Sequence, residues 1–500
     1  MVQGQIAKGA IISYIAIFFN IAITFFYTPW MIRQIGVSDY GLYSLVGTFI
    51  AYFIIDFGLS GAITRFIAKY RAEGNQTKVE NMLGLTTKVY LCIDAVIFLV
   101  LFVCFFFLKE IFTGLTPVEI ERLKVLYVIA GFFSVLSFVW HPMNGAMMAY
   151  EYFVENKLMD MFHKVGTVVL IVIALLLDGD VYELVLIKGA MGFLTSFIKF
   201  LIFKRKSKIH INWRYFERSE MKGLLSFSVW VFLTSLAQRF RLTMMPTVLG
   251  IFANSTEISI FSLGMTIEAM TYILSTALNG LFLPKVTRML KANDGRKEVT
   301  DLMIRVGRLQ LYIIGLIIMS FWLVGNDFLR LWVGEKFHDS YYVVILLTIF
   351  NIVSLTQHIA HNVVYAENKV RYTATLTFVS SALSLVGSVL LAPLMGAVGC
   401  ALSFGIAMTL DLVLQNVFYI RTLHLEIGRF FRECHGRILP LLLALTVFFY
   451  GIKQIINIDG WTTLFVLMGL YVILYFSISY LFLFNKEEKS LMFNVIRRRA

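Results

Sequence analysis

Residues 83–108, LGLTTKVYLCIDAVIFLVLFVCFFFL, form an apolar run interrupted only by Lys88 and Asp94. Wound as a helix at about 1.5 Å per residue, such a run covers the ~30 Å hydrocarbon core of a bilayer. A barrel strand would need only about 10 residues and would alternate strictly. Working outward from this stretch, about fourteen comparable runs of roughly 20 residues follow one another. They fall near 9–31, 40–64, 83–108, 123–147, 158–177, 181–203, 223–252, 257–283, 304–325, 340–363, 372–391, 395–419, 437–456 and 461–484. The expected fold class is an all-α polytopic membrane protein.

Composition agrees. Of 500 residues, 59% are apolar and 15% charged, and the mean hydropathy is +0.78; a soluble chain of this size needs more polar surface. The 44 Lys and Arg are placed unevenly. Some three-quarters fall in the termini and the even-numbered connections, which marks that side as cytoplasmic and puts both termini inside. The net charge of +13 is spread over these loops rather than gathered in one domain, so it reads as a topology signal near anionic lipid and not as a nucleic-acid surface. The four cysteines, Cys92, Cys104, Cys400 and Cys434, have no metal-ligand spacing, and no disulfide is expected. The first apolar run lacks a small-residue cleavage site and reads as a retained helix.

An internal repeat divides the chain. RFIAKYRAEGNQTKVENML (65–83) corresponds to PKVTRMLKANDGRKEVTDLM (284–303). Val79 aligns with Val299 and Asn81 with Asp301, at an offset of about 220 positions. At nearly the same offset Pro29 faces Pro246, and Tyr43-Ser44-Leu45 faces Phe261-Ser262-Leu263. An offset spanning six helices keeps both copies in one orientation, a parallel repeat about the membrane normal. The expected organisation is a first six-helix lobe at 1–203, a basic cytoplasmic connector at 204–222, a second lobe at 223–420, two extra helices within 437–484 and a basic tail at 485–500. Connections are short, which leaves no room for a soluble catalytic domain. No P-loop, GxSxG or HExxH motif occurs. No enzymatic activity, metal or cofactor is expected.

Charges inside spans are the informative residues, because each costs about 2.5–3.5 kcal/mol at a helix centre unless a partner, a wet cavity or a function compensates. Span 7, GLLSFSVWVFLTSLAQRFRLTMMPTVLG, carries Gln238, Arg239 and Arg241. The two arginines point about 200° apart, Arg241 with Thr234 and Gln238, Arg239 with Ser228 and Ser235. Pro246 frees the carbonyl of Leu242 and favours a bend nearby. Guanidinium forks in this position suit an anionic group, above all phosphate; the alternative is one structural ion pair and one snorkelling side chain. Span 1 places Ser13, Asn20, Thr24 and Thr28 on one face. Span 2 carries Ser44, Thr48, Tyr52 and Asp56, with Arg65 at its cytoplasmic end. Such stripes either line an aqueous path or pack helices. Asp56, Asp94, Glu268 and Asp411 are candidates for ion coupling or for internal ion pairs, and His358 and His361 sit in span 10. Lys188 and Lys199 lie in span 6, Lys199 close enough to the cytoplasm to snorkel.

The order Pro29, Gly36, Tyr40-Gly41-Leu42-Tyr43-Ser44-Leu45, Asp56-Phe57-Gly58-Leu59, Arg65 and Ala68 resembles the polysaccharide-biosynthesis flippases, the Wzx-type branch of the multidrug/oligosaccharidyl-lipid/polysaccharide (MOP) exporter superfamily. The resemblance covers the whole chain in hydropathy and repeat plan; its residue-level part is mainly 1–85. Many members carry an Asp-Arg pair in span 7, where this chain has Gln238-Arg239, so Arg239 is the position carried over. The resemblance implies transport of an undecaprenyl-pyrophosphate-linked oligosaccharide across the bacterial cytoplasmic membrane. Its implied partners are that lipid-linked glycan, membrane lipids and, as candidates, the polysaccharide polymerase and chain-length machinery. The alternatives are a multidrug or cation antiporter of the same superfamily, whose cavity should favour acids over arginines, and a lipid II flippase. An integral polymerase or ligase would need a large outer loop that this chain lacks.

Overall fold

The computed structural model describes residues 21–51, 59–225, 241–276, 282–291, 295–486 and 488–490. All regular structure among them is helical. Nine stretches of these residues are long and apolar enough to cross a bilayer. The longest, Val370–Arg421, is 52 residues and bends at Gly396, whose φ of 55° no side chain favours. It therefore holds the two spans read from the sequence at 372–391 and 395–419 as two arms. About half of spans 1 and 7 and part of span 2, with Asn20, Asp56, Gln238 and Arg239, lie outside the described residues.

Local chemistry sets the helix ends. Asn75 caps Gln76–Phe106 by accepting from the Lys78 amide at 3.0 Å. Thr116 with Glu119, and Asp180 with Glu183, form capping boxes that start Pro117–Phe138 and Val181–Ser207. Pro142 divides the fourth span into Pro117–Phe138 and Pro142–Ala149. The tenth is more interrupted, passing through Ser340–Thr348, Asn351–Ser354, the 3-10 turn Leu355–Gln357 and His358–Ala366.

The chain forms two compact units, Met1–Ser262 with Ser381–Ser403, and Leu263–Ser380 with Phe404–Ala500. In the first, odd-numbered connections meet one another. Arg122 forks onto Asp39 at 2.7 and 2.8 Å, Ser38 donates to Glu119 at 2.7 Å, Thr113 donates to the Ile251 carbonyl at 2.8 Å, and Glu257 accepts from the Ala397 amide at 2.7 Å. Even-numbered connections also meet. Tyr70 donates to Glu220 at 3.1 Å, the His210 amide donates to Glu80 at 3.2 Å, and Lys206 pairs with Glu155. The second unit repeats this sorting. Arg296 holds Glu367 at 2.7 Å and Arg429 holds Asp301 at 2.7 Å among even connections; Arg330 donates to the Ile458 carbonyl at 2.5 Å among odd ones. Within each unit, connections of the same parity bond to one another among the described residues.

The second unit has a large apolar core around Gly295–Trp332, which takes in Leu311, Ile314, Phe430, Leu442, Phe449, Tyr471 and Tyr475. The two C-terminal helices, Gly436–Ile455 and Trp461–Ile478, share this unit's apolar interior. Arg308 explains part of that. Inside the apolar run read at 304–325, it is 4% exposed and grips Glu488 at 2.7 and 2.9 Å, with further bonds to Tyr312 and to the Glu433 and Leu483 carbonyls.

Candidate functional site

In the first unit the informative helix is Val181–Ser207. Its outer stripe, Leu186, Leu194 and Leu201, is exposed. Its inner stripe, Leu184, Met191, Thr195 and Lys199, is buried. Lys188 sits at helical spacing on that inner stripe, yet it is exposed. Its ammonium lies 4.7 Å from the centre of the Tyr43 ring on Val37–Ala51 and beside Gly47, where a Cβ would come within 3.4 Å of it. Gly47 is itself exposed. Among the described residues no carboxylate pairs with Lys188. This cation at membrane depth thus faces inward on an open surface and leans on an aromatic ring.

Lys199, about three turns further on, behaves differently. It is 8% exposed, pairs with Asp160 at 2.9 Å and donates to Asn144 at 3.1 Å. The expectation that it snorkels to the cytoplasm is corrected: buried on the inner stripe, the ammonium has carboxylate and amide partners close by.

Of the sequence candidates in this unit, Arg241 is half-buried just before a break at Thr243–Met244. A new helix, Met245–Phe252, begins there with Pro246 in its first turn, so the expected bend is present. Arg65 is exposed on Leu59–Ala72. Asp94 is 6% exposed, and its Oδ1 has no hydrogen-bond partner among the described residues.

In the second unit the interrupted tenth span gathers polar groups. Asn351 donates to Glu268 at 3.2 Å, and Gln357 donates to Asn416 at 2.7 Å. Gln415 donates to Asp411 Oδ2 at 2.9 Å and accepts from Tyr419 at 3.0 Å. Asp411 is 2% exposed, and its Oδ1 has no partner among the described residues. His358 and His361 stack obliquely at 5.9 Å, with His361 6.1 Å from the Tyr419 ring. Irregular backbone at membrane depth persists where neighbouring protein re-satisfies its polar groups; here the Ile352 carbonyl meets the Thr356 hydroxyl at 3.0 Å and the His435 imidazole at 3.2 Å. Glu268 and Asp411 belong to this unit and Asp94 to the first. Sequence reading named Lys188 without its inward direction, and it missed the amides Asn351, Gln357, Gln415 and Asn416. Their signal was present in a span unusually rich in Asn, Gln and His.

The fold is shared with solved membrane transporters. A lipid II flippase MurJ structure in an inward closed conformation aligns with a TM-score of 0.65 at 14% identity, over 93% of this chain and 99% of that one. An inward-facing multidrug resistance MATE transporter of the MOP superfamily aligns with a TM-score of 0.65 at 14% identity, over 80% and 92%. A MOP superfamily transporter from Pyrococcus furiosus aligns with a TM-score of 0.56 at 13% identity, over 82% and 94%. No curated protein sequence matches the chain. The family described as polysaccharide biosynthesis protein matches residues 6–290. A multi-pass helical chain with this fold and that match is a member of the polysaccharide biosynthesis protein family.

Proposed function

We propose that this protein is a flippase that carries an undecaprenyl-pyrophosphate-linked oligosaccharide, a polysaccharide or O-antigen repeat unit, from the cytoplasmic to the outer leaflet. The observation that carries this reading is Lys188, a cation on the inner stripe of a membrane helix, open and without a carboxylate partner among the described residues. An anionic head group crossing a low-dielectric region needs such fixed positive charge. The lipid tail stays in the bilayer while sugars and pyrophosphate follow a hydrated passage, opened by alternating access of two repeated six-helix lobes. Arg239 and Arg241, with Asn20, Gln238 and Arg65, complete the cationic lining. Asp56, Asp94, Glu268 and Asp411 serve ion coupling or internal pairing. The protein works without enzymatic chemistry in the bacterial cytoplasmic membrane, with both termini inside, where polymerase and chain-length machinery receive its cargo.

Complementation of a flippase-deficient strain tests this, with membrane protein levels checked. The wild-type chain should restore polysaccharide export. Arg239→Ala or Arg241→Ala should abolish it at normal protein levels, and lysine at the working position should rescue only in part, since it keeps the charge and loses the fork. Failure of the wild type to export, together with efflux of cationic dyes, would favour the multidrug reading, which the shared fold of the MATE transporter supports. Restoration of lipid II flipping instead would point to the third reading.

A further inference from the structure

The connector KRKSKIHINWRYFERSEMK (204–222) is held along Gln76–Phe106 rather than left as a loose loop. The Asn212 amide donates to the Glu80 carbonyl at 3.3 Å, and its side chain donates to Asn81 at 2.8 Å. Gly84 meets the Asn212 carbonyl so closely that a Cβ would lie 1.9 Å from it. Lys88 Nζ donates to the Tyr215 carbonyl at 3.0 Å. Ile209 is buried beneath the strap. Both glutamates are engaged by hydroxyls: the exposed Glu217 accepts from Ser219 at 2.6 Å and from Tyr215, while Glu220 accepts from Tyr70 and Tyr215, each at 3.1 Å. Hydrogen bonds from Ser219 and Tyr215 hold the Glu217 carboxyl below its usual range. Against this tethered backbone, Trp213 and Phe216 are 53% and 60% exposed, and the basic side chains between 204 and 222 are exposed as well.

The depth of the strap follows from its partner helix. Residues 89–108 run from Lys88 to Lys109 with Asp94 as the sole charge, about 30 Å of helix, the thickness of the hydrocarbon core. Lys88 therefore marks a bilayer interface, and Tyr215, bound to it, lies at the same level. An exposed tryptophan and phenylalanine at that level, among cations whose neighbouring acids are engaged elsewhere, match an interfacial anchor for an anionic leaflet.

We propose that residues 208–218 form an interfacial strap that docks on anionic phospholipid headgroups of the phosphatidylglycerol type, with Trp213 and Phe216 inserted and the surrounding Lys and Arg on the phosphates. The test uses the full chain in nanodiscs, with Cys92 and Cys104 changed to Ser and a nitroxide at Trp213→Cys or, as a second reporter, Phe216→Cys. Gln76→Cys, about 18 Å further from the core along the same helix, is the aqueous control. In discs containing phosphatidylglycerol the strap labels should favour oxygen over an aqueous nickel chelate several-fold more than the control does. Phosphatidylglycerol should also raise the unfolding temperature over phosphatidylcholine alone. That rise should at least halve in Trp213→Ser/Phe216→Ser and in Arg214→Gln/Arg218→Gln. Free glycerol phosphate added to neutral discs should not reproduce it. Strap labels as open to the chelate as the control, or a phosphatidylglycerol effect unchanged in both double variants, would overturn the proposal.

Discussion

Lys188 in the first unit and Arg308 in the second are both cations that the chain carries into or beside a membrane helix, and their surroundings are opposite. Arg308 is sealed: a carboxylate, a phenol and two carbonyls use its donors, and arginine and glutamate side chains alike are 4% exposed. Lys188 has a tyrosine ring and open space. A cation with every donor engaged is a structural clamp, and its removal strands a buried charge. A cation left open on an inner face has capacity for a ligand.

The sharpest way to break this comparison is Arg308→Ala. It leaves Glu488 buried and unpaired, a loss of about 3–5 kcal/mol, and should appear as collapse of the folded fraction and a strongly lowered unfolding temperature in detergent. An unchanged unfolding temperature would remove the clamp. Next is Lys188→Ala, expected to lower export about tenfold, or roughly 1.4 kcal/mol, at normal membrane levels, with Lys188→Arg retaining most of it. Export at the wild-type rate would mean that the open face carries nothing. Lys199 sharpens the contrast from between. Its partner Asp160 is 45% exposed, so screening limits the pair, and Asp160→Asn should cost about 1 kcal/mol of stability. Smallest is Arg122→Ala at the solvated fork with Asp39, where arginine is 45% exposed and the loss should stay within about 1 kcal/mol. Thermal unfolding of purified variants orders these last two.

The same contrast shows where sequence reading reaches and where it stops. The bend near Arg241 was legible, because proline removes a hydrogen bond wherever the helix packs. The division of Val370–Arg421 was legible as two apolar runs, at 372–391 and 395–419, and the kink at Gly396 falls where they meet. The amide cluster on the tenth and twelfth spans was not, since Asn351, Gln357 and Asn416 gain meaning only when their helices meet. The role of Arg308 was not legible for the same reason: nothing near it in sequence announces Glu488.

By itself the sequence determined that this is a multi-pass helical membrane protein. Bilayer thickness sets the length of each apolar run, so that reading needs no knowledge of neighbours. Only the tertiary structure decided which cation has a carboxylate partner among the described residues and which does not. Lys188 and Lys199 occupy one stripe of one helix, and what separates them is the residue that a neighbouring helix brings: a carboxylate for Lys199 and a ring for Lys188. Charge energies in a low-dielectric interior depend on partners within a few ångströms, and those distances are fixed by packing.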